Sequence, residues 1–458
     1  MEKFLSKKIE IWIVLLLAII LVIAALIFGS VVRQASVENE GAGGDSLATA
    51  VTAVAAFPET VTATFKHINE GGNPGLMKLS KSEITGDSGF TFYFKKGTRP
   101  DLEYLLLNRY DGDLKFSVSE LWDLNSQEMV HSWDWSRVDR LLPNVTLNSD
   151  FVNIANATSP DRFRSAHALI SEKGKAYTHS HNDFLIEADL CSNLKIFNQD
   201  RIYHHSLEFD HDGNIWTNSL IEPNSLSIGS KKFRDDGIAL ISPGGEKIFE
   251  KSIGKLLIDN GLSYVLFGSG PSIDDPIHIN DVEPVLADGE FWKKGDVFLS
   301  FRNRSMVLLY RPSTNKVLWH KWGPWMHQHD VDIISNHEIS IFNNNAALYK
   351  TKDWAVWGVN DVVIYNFRTG DIKSPWRKAF KKWQIKTHVE GLSEVIGKEL
   401  FVEDTIHGTL VQFDATGTLV WQYINSAKDG SNYYVNWSRI VSRRLGNKIK
   451  TLAREKKC

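Results

Sequence analysis

Short apolar runs split by Gly, Asn and Asp fill the chain from about Val61 onward, and one unit of them recurs. The unit is an apolar strand, a polar turn and a second strand that often ends in an aromatic residue. Its copies are Leu121-Trp122-Asp123-Leu124-Asn125-Ser126 running to Trp133; Phe184-Leu185-Ile186 running to Phe197; Ile238-Ala239-Leu240-Ile241 with Pro243-Gly244-Gly245 running to Phe249; Val307-Leu308-Leu309-Tyr310 with Ser313-Thr314-Asn315 running to Trp319; Val362-Val363-Ile364-Tyr365 with Thr369-Gly370 running to Trp376; and Leu410-Val411-Gln412-Phe413 with Thr416-Gly417 running to Trp421. Each copy predicts a β-hairpin. The copies lie about 50 to 70 residues apart, a spacing that suits four-stranded blades with variable loops. Six copies predict an all-β fold, a six-bladed β-propeller over 108–442, whose loops converge on a central channel. Residues 61–107 add a small β-rich extension, as further strands or as a cap. Helix is scarce. The best candidate runs over 251–260, with Ile253, Leu256 and Leu257 on one face and Gly261 as its stop.

A different pattern opens the chain. Residues 11–32 are apolar and uncharged, and at about 1.5 Å per residue such a helix crosses a bilayer core of roughly 30 Å. Lys3, Lys7 and Lys8 precede it, so residues 1–10 are expected in the cytoplasm and the bulk of the chain outside. A cleaved signal peptide competes with a retained anchor. The run exceeds a usual signal core, and no convincing A-x-A site follows it, which favours the anchor. Residues 33–60 read as a linker, with the Glu-, Gly- and Ser-rich stretch 36–47 as a flexible tether. The expected location is the inner membrane, single-pass, with the propeller on the periplasmic side.

Charge and cysteine content narrow the class. A net charge of -3 over 458 residues argues against a nucleic-acid partner. The 15 Trp suit packing anchors in an all-β repeat fold. Only Cys191 and Cys458 occur, fewer than a disulfide framework uses. Cys458 falls in the basic segment 443–458, read as a mobile tail, so no structural bridge is expected. The tail offers contact with anionic lipid, but a solvated terminus is the plainer reading.

Candidate chemistry sits where strands break into loops. His329, in Gln328-His329-Asp330, follows a strand end, and its imidazole is a good nucleophile if a carboxylate or backbone carbonyl aligns the other nitrogen. His278 and Asn280 share one side of a short strand. Arg302 ends an apolar strand, and its guanidinium can grip two oxygens of a sulfate or phosphate. Taken one at a time, each is more often a satisfied loop or surface residue. His204, His205 and His211 match no zinc spacing well. Gly268-Ser269-Gly270-Pro271 lacks the Lys and the following helix of a phosphate loop and reads as a turn. His179 and His181 read as loop decoration. No metal and no cofactor are expected.

As an ordered set, several segments resemble the arylsulfotransferase family, bacterial aryl-sulfate sulfotransferases that do not use the nucleotide sulfate donor. They are His204-His205-Ser206-Leu207-Glu208 with Asp212-Gly213-Asn214; His278-Ile279-Asn280-Asp281; Ser300-Phe301-Arg302; Gln328-His329-Asp330; and Ile341-Phe342-Asn343-Asn344-Asn345. The resemblance spans about 162–442. It implies a six-bladed propeller with a central site and His329 as the sulfuryl-accepting nucleophile. It further implies that His278 and Arg302 bind the sulfuryl oxygens and that His205 completes the pocket. His204 is the alternative for that last role; the Ser-Leu-Glu that follows favours His205. Asn280 and His204 stand as substrate-binding candidates. The implied partners are a small-molecule aryl sulfate and a phenol, with the oligomeric state left open. The chain departs from better-known members, which are exported, soluble and disulfide-bonded. A non-catalytic membrane-anchored propeller and an aryl sulfate hydrolase are the competing readings.

Overall fold

A computed structural model describes residues 12–13, 15–23, 28, 78–79, 84, 86–226, 233–268, 274–349, 353–456 and 458. The chain divides into two units, 1–75 and 76–458. Burial explains how the second unit is built. Strands Asp183–Ala188, Ile215–Leu220, Val297–Phe301 and Thr409–Phe413 are buried along their whole length. A sheet covered on both faces produces this pattern. Strands Glu128–Asp134 and Lys316–Trp322 lie at sheet edges and stay half open.

All six expected hairpins are present as antiparallel pairs. They assemble into an all-β, propeller-like arrangement, but not into six separate blades. Three sheets have four strands, one has five, and one has seven. The seven-stranded sheet exists because Leu194–Phe209 is a single 16-residue strand. Its first part pairs with Asp183–Ala188 and its second part with Ile215–Leu220. Two of the expected units are thereby one continuous sheet. The fifth hairpin also ends early: its outer strand is only Ile372–Lys373, and Trp376 instead precedes the helix Arg377–Trp383.

Apolar clusters lie between successive sheets. One sets Trp216, Ile238 and Leu256 against Val282, Leu299 and Leu308. The next packs Phe298 and Val307 on Val331 and Ile341. Another joins Phe342 and Val362 to Val402 and Val411. The last brings Phe401 and Trp421 to Leu105 and Leu107, which returns the ring to its start. Closure is also a matter of backbone. Strand Arg439–Val441 pairs with Tyr104–Leu106, so the C-terminal end of the ring completes its first sheet. Strand Gly89–Phe92 reciprocates by adding to Leu419–Ile424 in the last. Residues 104–107 therefore belong to a ring sheet and not to a separate extension.

The helix expected over 251–260 is found at Ile253–Asp259, capped by Ser252, whose Oγ accepts the Lys255 N–H. Gly261 follows at φ +72°. The basic segment corrects the expectation of a mobile tail. Arg443–Glu455 is a helix. Its Ile449 enters the core beside Tyr104 and Trp133, with Leu445 and Leu452 packed at the margin. The helix approaches so closely that a Cβ at Gly446 would meet the Tyr104 ring at 2.3 Å. Lys448 pairs with Glu172 at 2.8 Å and Lys450 with Asp123 at 3.0 Å.

Docking of that helix delivers Cys458 to the turn that carries Cys191, and the two form a disulfide. The expectation of no bridge is overturned because the helix fixes the chain end that looked free.

Among the described residues, no helix is long and apolar enough to cross a membrane, so the anchor expected at 11–32 is not shown. Parts of that span, at 11, 14, 24–27 and 29–32, lie outside the described residues, as do the whole linker 33–60 and 61–77. The described side chains at 15–23 are apolar and exposed.

The bridge closes a loop across a sequence separation of 267 residues. Cys458→Ser is expected to lower unfolding stability by about 2–5 kcal/mol, read as a lower midpoint in urea. An unchanged midpoint would mean that the helix contacts alone hold the chain end.

Candidate active site

The four residues singled out for chemistry come together around Trp437 and the His278–Arg302 backbone contact. His205 lies in strand Leu194–Phe209, where pairing with the neighbouring strand breaks register between Thr217 and Asn218. His278 stands just before strand Ile279–Pro284, and its carbonyl accepts the Arg302 N–H at 3.2 Å. Arg302 opens a short helical turn at the end of Val297–Phe301. His329 precedes Asp330–Ile333, and its N–H donates to Phe342 O at 3.2 Å. The His205 and His278 rings lie 5.2 Å apart, edge to face. Trp437 links the group, with its ring 5.8 Å from His205 and 6.4 Å from His329.

His205 and His278 share a backbone feature with several of their neighbours. His167, His205, His278, His327, Glu390 and Trp437 all adopt left-handed backbone, with φ between 48° and 60°. Non-glycine residues rarely do so, and such strain persists only where surroundings enforce it. At Trp437 the enforcing group is Glu403. Its carboxylate accepts the N–H groups of Trp437 at 2.6 Å and Ser438 at 2.7 Å, and the Thr405 hydroxyl at 2.8 Å. Burial raises the Glu403 carboxyl to about 7 even so.

The hydrogen bonds of His329 define its tautomer. Nδ1 faces Asn344 Oδ1 at 2.8 Å and His327 O at 3.1 Å. Asn344 is oriented in turn, because its Nδ2 donates to Glu390 O at 2.7 Å and Thr387 O at 3.3 Å. Two oxygens on Nδ1 require a proton there, so Nε2 carries the lone pair. That lone pair accepts the Glu390 N–H at 3.0 Å. Burial, then the Arg302 charge, lowers the His329 imidazole to about 3. The ring is neutral throughout the physiological range.

The other imidazoles are also coupled to partners. His278 Nδ1 lies 2.5 Å from Asp275 Oδ2. Burial drives the imidazole well below its usual value, with Arg302 adding to the shift, and raises the Asp275 carboxyl. His205 Nδ1 contacts His204 Nδ1 at 2.7 Å, so one of these neutral rings donates to the other. His204 itself is buried behind His205, with Nε2 3.6 Å from Asp236 Oδ1. Asn280 is fully buried, and its Nδ2 donates to Gln328 O at 2.8 Å. It positions the backbone next to His329.

Three guanidinium groups face this cluster, and they differ. Arg164 grips Glu390 through both nitrogens, at 3.1 and 2.6 Å. Burial opposes ionisation of Glu390, yet Arg164 holds its carboxyl below the usual range. Arg234 pairs with Asp236 at 2.9 Å. Arg302 has no carboxylate at ion-pair distance among the described residues; its Nε donates to Asn303 Oδ1 at 3.1 Å. Burial brings it down to about 10, so it remains a cation at neutral pH. Its guanidinium lies 5.5 Å from the centre of the Trp354 ring. Trp354 belongs to the hairpin Ala346–Tyr349 and Asp353–Val356, meets the His327 ring edge-on at 5.0 Å, and stacks with His388 at 6.4 Å.

Sequence reasoning missed much of this surround. His181 is not loop decoration, since its ring lies 5.6 Å from His205, and His179 is buried in strand Ala176–His179. Asn344 lay within a segment already noted, though without a role. Arg164, Arg234, Asp236, Glu390, Trp354 and Trp437 carry no local signal. Among the described residues, only Asp210, His211 and Asp212 bring three metal-capable atoms within 4.8 Å, on an open turn outside the cluster.

Comparison with known proteins gives a family match. The family described as arylsulfotransferase (ASST) matches over residues 170–426. No curated protein matches the chain. Similar solved structures include a protein of unknown function from Bacteroides caccae, at 11% identity and TM-score 0.43, covering 73% of this chain and 98% of that one. A nidogen/laminin complex is similar at 10% identity and TM-score 0.42, covering 74% and 98%. A catalytically inactive virginiamycin B lyase from Staphylococcus aureus with quinupristin reaches 12% identity and TM-score 0.33, covering 58% and 71%. Likenesses this distant carry no functional weight.

The hydrogen-bond network predicts one measurement directly. In 15N spectra of histidine-labelled protein, His329 should stay neutral and protonated on Nδ1 from about pH 9 down to about pH 4. A titration near 6.5, the value of a free imidazole, would refute the assignment.

Proposed function

We propose that this chain, which belongs to the arylsulfotransferase family, moves a sulfuryl group from an aryl sulfate to a phenolic acceptor through a sulfohistidine at His329. The observation that carries the reading is the tautomer of His329, neutral and with its lone pair on Nε2, near the cation Arg302, which has no carboxylate at ion-pair distance among the described residues.

The step balances without a cofactor. The Nε2 lone pair attacks sulfur while the bond from sulfur to the aryl oxygen breaks. The electron pair leaves with the aryl oxygen, which takes up a proton. In flight, the sulfuryl group spreads negative charge over its equatorial oxygens, as a phosphoryl group does. Arg302 faces that charge, and a cation fixed in advance in a buried site lowers the barrier most. The His278–Asp275 pair supplies the proton to the leaving phenolate, and His205 completes the pocket. In the second half, the same pair accepts the phenol proton, the phenol oxygen attacks sulfur, and the N–S bond electrons return to Nε2. Double displacement of this kind predicts ping-pong kinetics.

One contact must change along the way. The Glu390 N–H occupies the lone pair that attacks. Substrate binding therefore has to draw Glu390 off Nε2, in the strained segment where Glu390 and Gly391 both have positive φ. Trp354 offers the aryl ring a flat face next to Arg302.

The catalytic unit is placed outside the cytoplasm, tethered by the apolar run 11–32. The lysines before that run and the Cys191–Cys458 bridge support this placement.

Mass spectrometry after incubation with an aryl sulfate should find a sulfuryl adduct on the His329 peptide, and His329→Asn should abolish turnover. An unlabelled peptide in a protein that still turns over would refute the covalent step. Sulfate release that is indifferent to added phenol would reassign the chain as a hydrolase. Arg302→Ala should cost about 2.7–4 kcal/mol of transition-state stabilisation. Trp354→Ala should raise KM for the aryl sulfate with kcat nearly unchanged, a loss of about 0.5–1.5 kcal/mol of ring binding.

A further inference from the structure

A cavity of about 270 Å³ lies among the five larger sheets, each of which contributes to its wall. His167 and Glu208 come from the seven-stranded sheet. Glu283, Asp330, Asp332 and Glu394 come from three of the others, and Arg439 from the closing strand. Trp437 also lines it, with its ring 3.5 Å from His167 on this side and 5.8 Å from His205 on the catalytic side.

The lining is unbalanced in charge. Among the described residues it holds five carboxyl groups, and Arg439 is the only guanidinium or ammonium group. That cation is committed to Glu208, through bonds of 3.0 and 3.1 Å. Asp330 accepts the Ser393 N–H at 2.9 Å and Glu394 the Ile440 N–H at 3.1 Å, but neither has an ion-pair partner within 4.0 Å among the described residues. The same holds for Glu283 and Asp332. Like charges gathered in a poorly solvated space repel strongly.

A second observation is independent of charge. Ser393 Oγ and His167 Nε2 belong to the same lining, on residues only 1% and 3% exposed, and neither has a hydrogen-bond partner. Buried polar atoms are rarely left unsatisfied, and such exceptions mark places where a water or an ion belongs.

We propose that this central cavity binds a hydrated divalent cation, magnesium or calcium, held by Glu283, Asp330, Asp332 and Glu394, with Ser393 and His167 bonded to its water shell. The carboxylates do not gather three ligand atoms within 4.8 Å, so the ion keeps several waters, as oxygen-bound magnesium and calcium commonly do. At about 30 Å³ per water, the cavity has room for an ion and its shell. An ion there cross-links sheets that otherwise meet through side chains. The proposal stands apart from sulfuryl transfer, and its test needs no activity.

The full-length chain, stripped with EDTA, would be titrated with magnesium or calcium chloride by calorimetry and melted in the presence of each salt. Potassium chloride at matched ionic strength is the control. Saturable binding with a melting temperature raised beyond that control is expected. The double variant Glu283→Gln with Asp332→Asn removes like charges and should fold. In it, affinity should fall at least tenfold. The exposed turn is tested separately by Asp210→Asn with Asp212→Asn, which should bind as the wild type does. Absence of saturable binding, equal response to potassium, or binding lost only in the turn variant would each overturn the proposal.

Discussion

The pairing of Arg439–Val441 with Tyr104–Leu106 is the contact on which the rest of the molecule depends. A ring of sheets covers the faces of its first and last members only if its ends meet, and an open ring would leave an apolar face uncovered and Tyr104–Leu106 without its pairing partner. Here the closing strand is three residues long. Its neighbours in sequence carry much of the centre. Trp437 lies two positions upstream, Arg439 begins the strand, and the helix Arg443–Glu455 follows it directly. Closure, the floor of the site and the docked C-terminal helix are thus consequences of one short segment.

The site depends on closure in a specific way. His205 and His278 stand on left-handed backbone, as do Glu390 and Trp437 beside them, and contacts from different parts of the ring hold the central group in place. Glu403 fixes Trp437 from another sheet. Asn344 fixes the His329 ring while bonded to Thr387 and Glu390. Asp236 accepts the N–H of Ile279, next to His278, across the boundary between two sheets. The chemistry attributed to His329, His278 and Arg302 therefore requires an assembled ring, because no single sheet positions these groups.

Much of the fold was legible because it is local. Hairpins are written in alternating residues and turn signals, and all six are present, although the fifth stops short of Trp376. The number of sheets was not legible, since nothing in the residues near 200 says whether one strand ends and another begins. His205, His278, Arg302 and His329 were visible because they stand where strands give way to loops and because their order matches a family. Arg164, Glu390, Asn344 and Trp354 act through partners distant in sequence, which no periodicity reveals. The Cys191–Cys458 bridge was missed for a related reason. A two-cysteine chain argues against a disulfide framework, but a single staple needs only that a helix dock. The helix went unread because its apolar stripe of Leu445, Ile449 and Leu452 is sparse among basic residues that looked like a solvated tail.

The long shared strand Leu194–Phe209 has a mechanical consequence. Where two hairpins are joined by continuous backbone pairing, they cannot part without breaking main-chain hydrogen bonds. Elsewhere the ring is joined by side-chain packing, and at the clasp by the three-residue closing strand together with Gly89–Phe92 on the last sheet. Opening fluctuations in a protein start where the fewest bonds must break. Breathing of this ring should therefore begin at the seams that share no strand pairing, while the doubled sheet moves as one plate. The Cys191–Cys458 link ties the segment just beyond the clasp to that plate, so the clasp is backed by a covalent tether as well as by paired backbone.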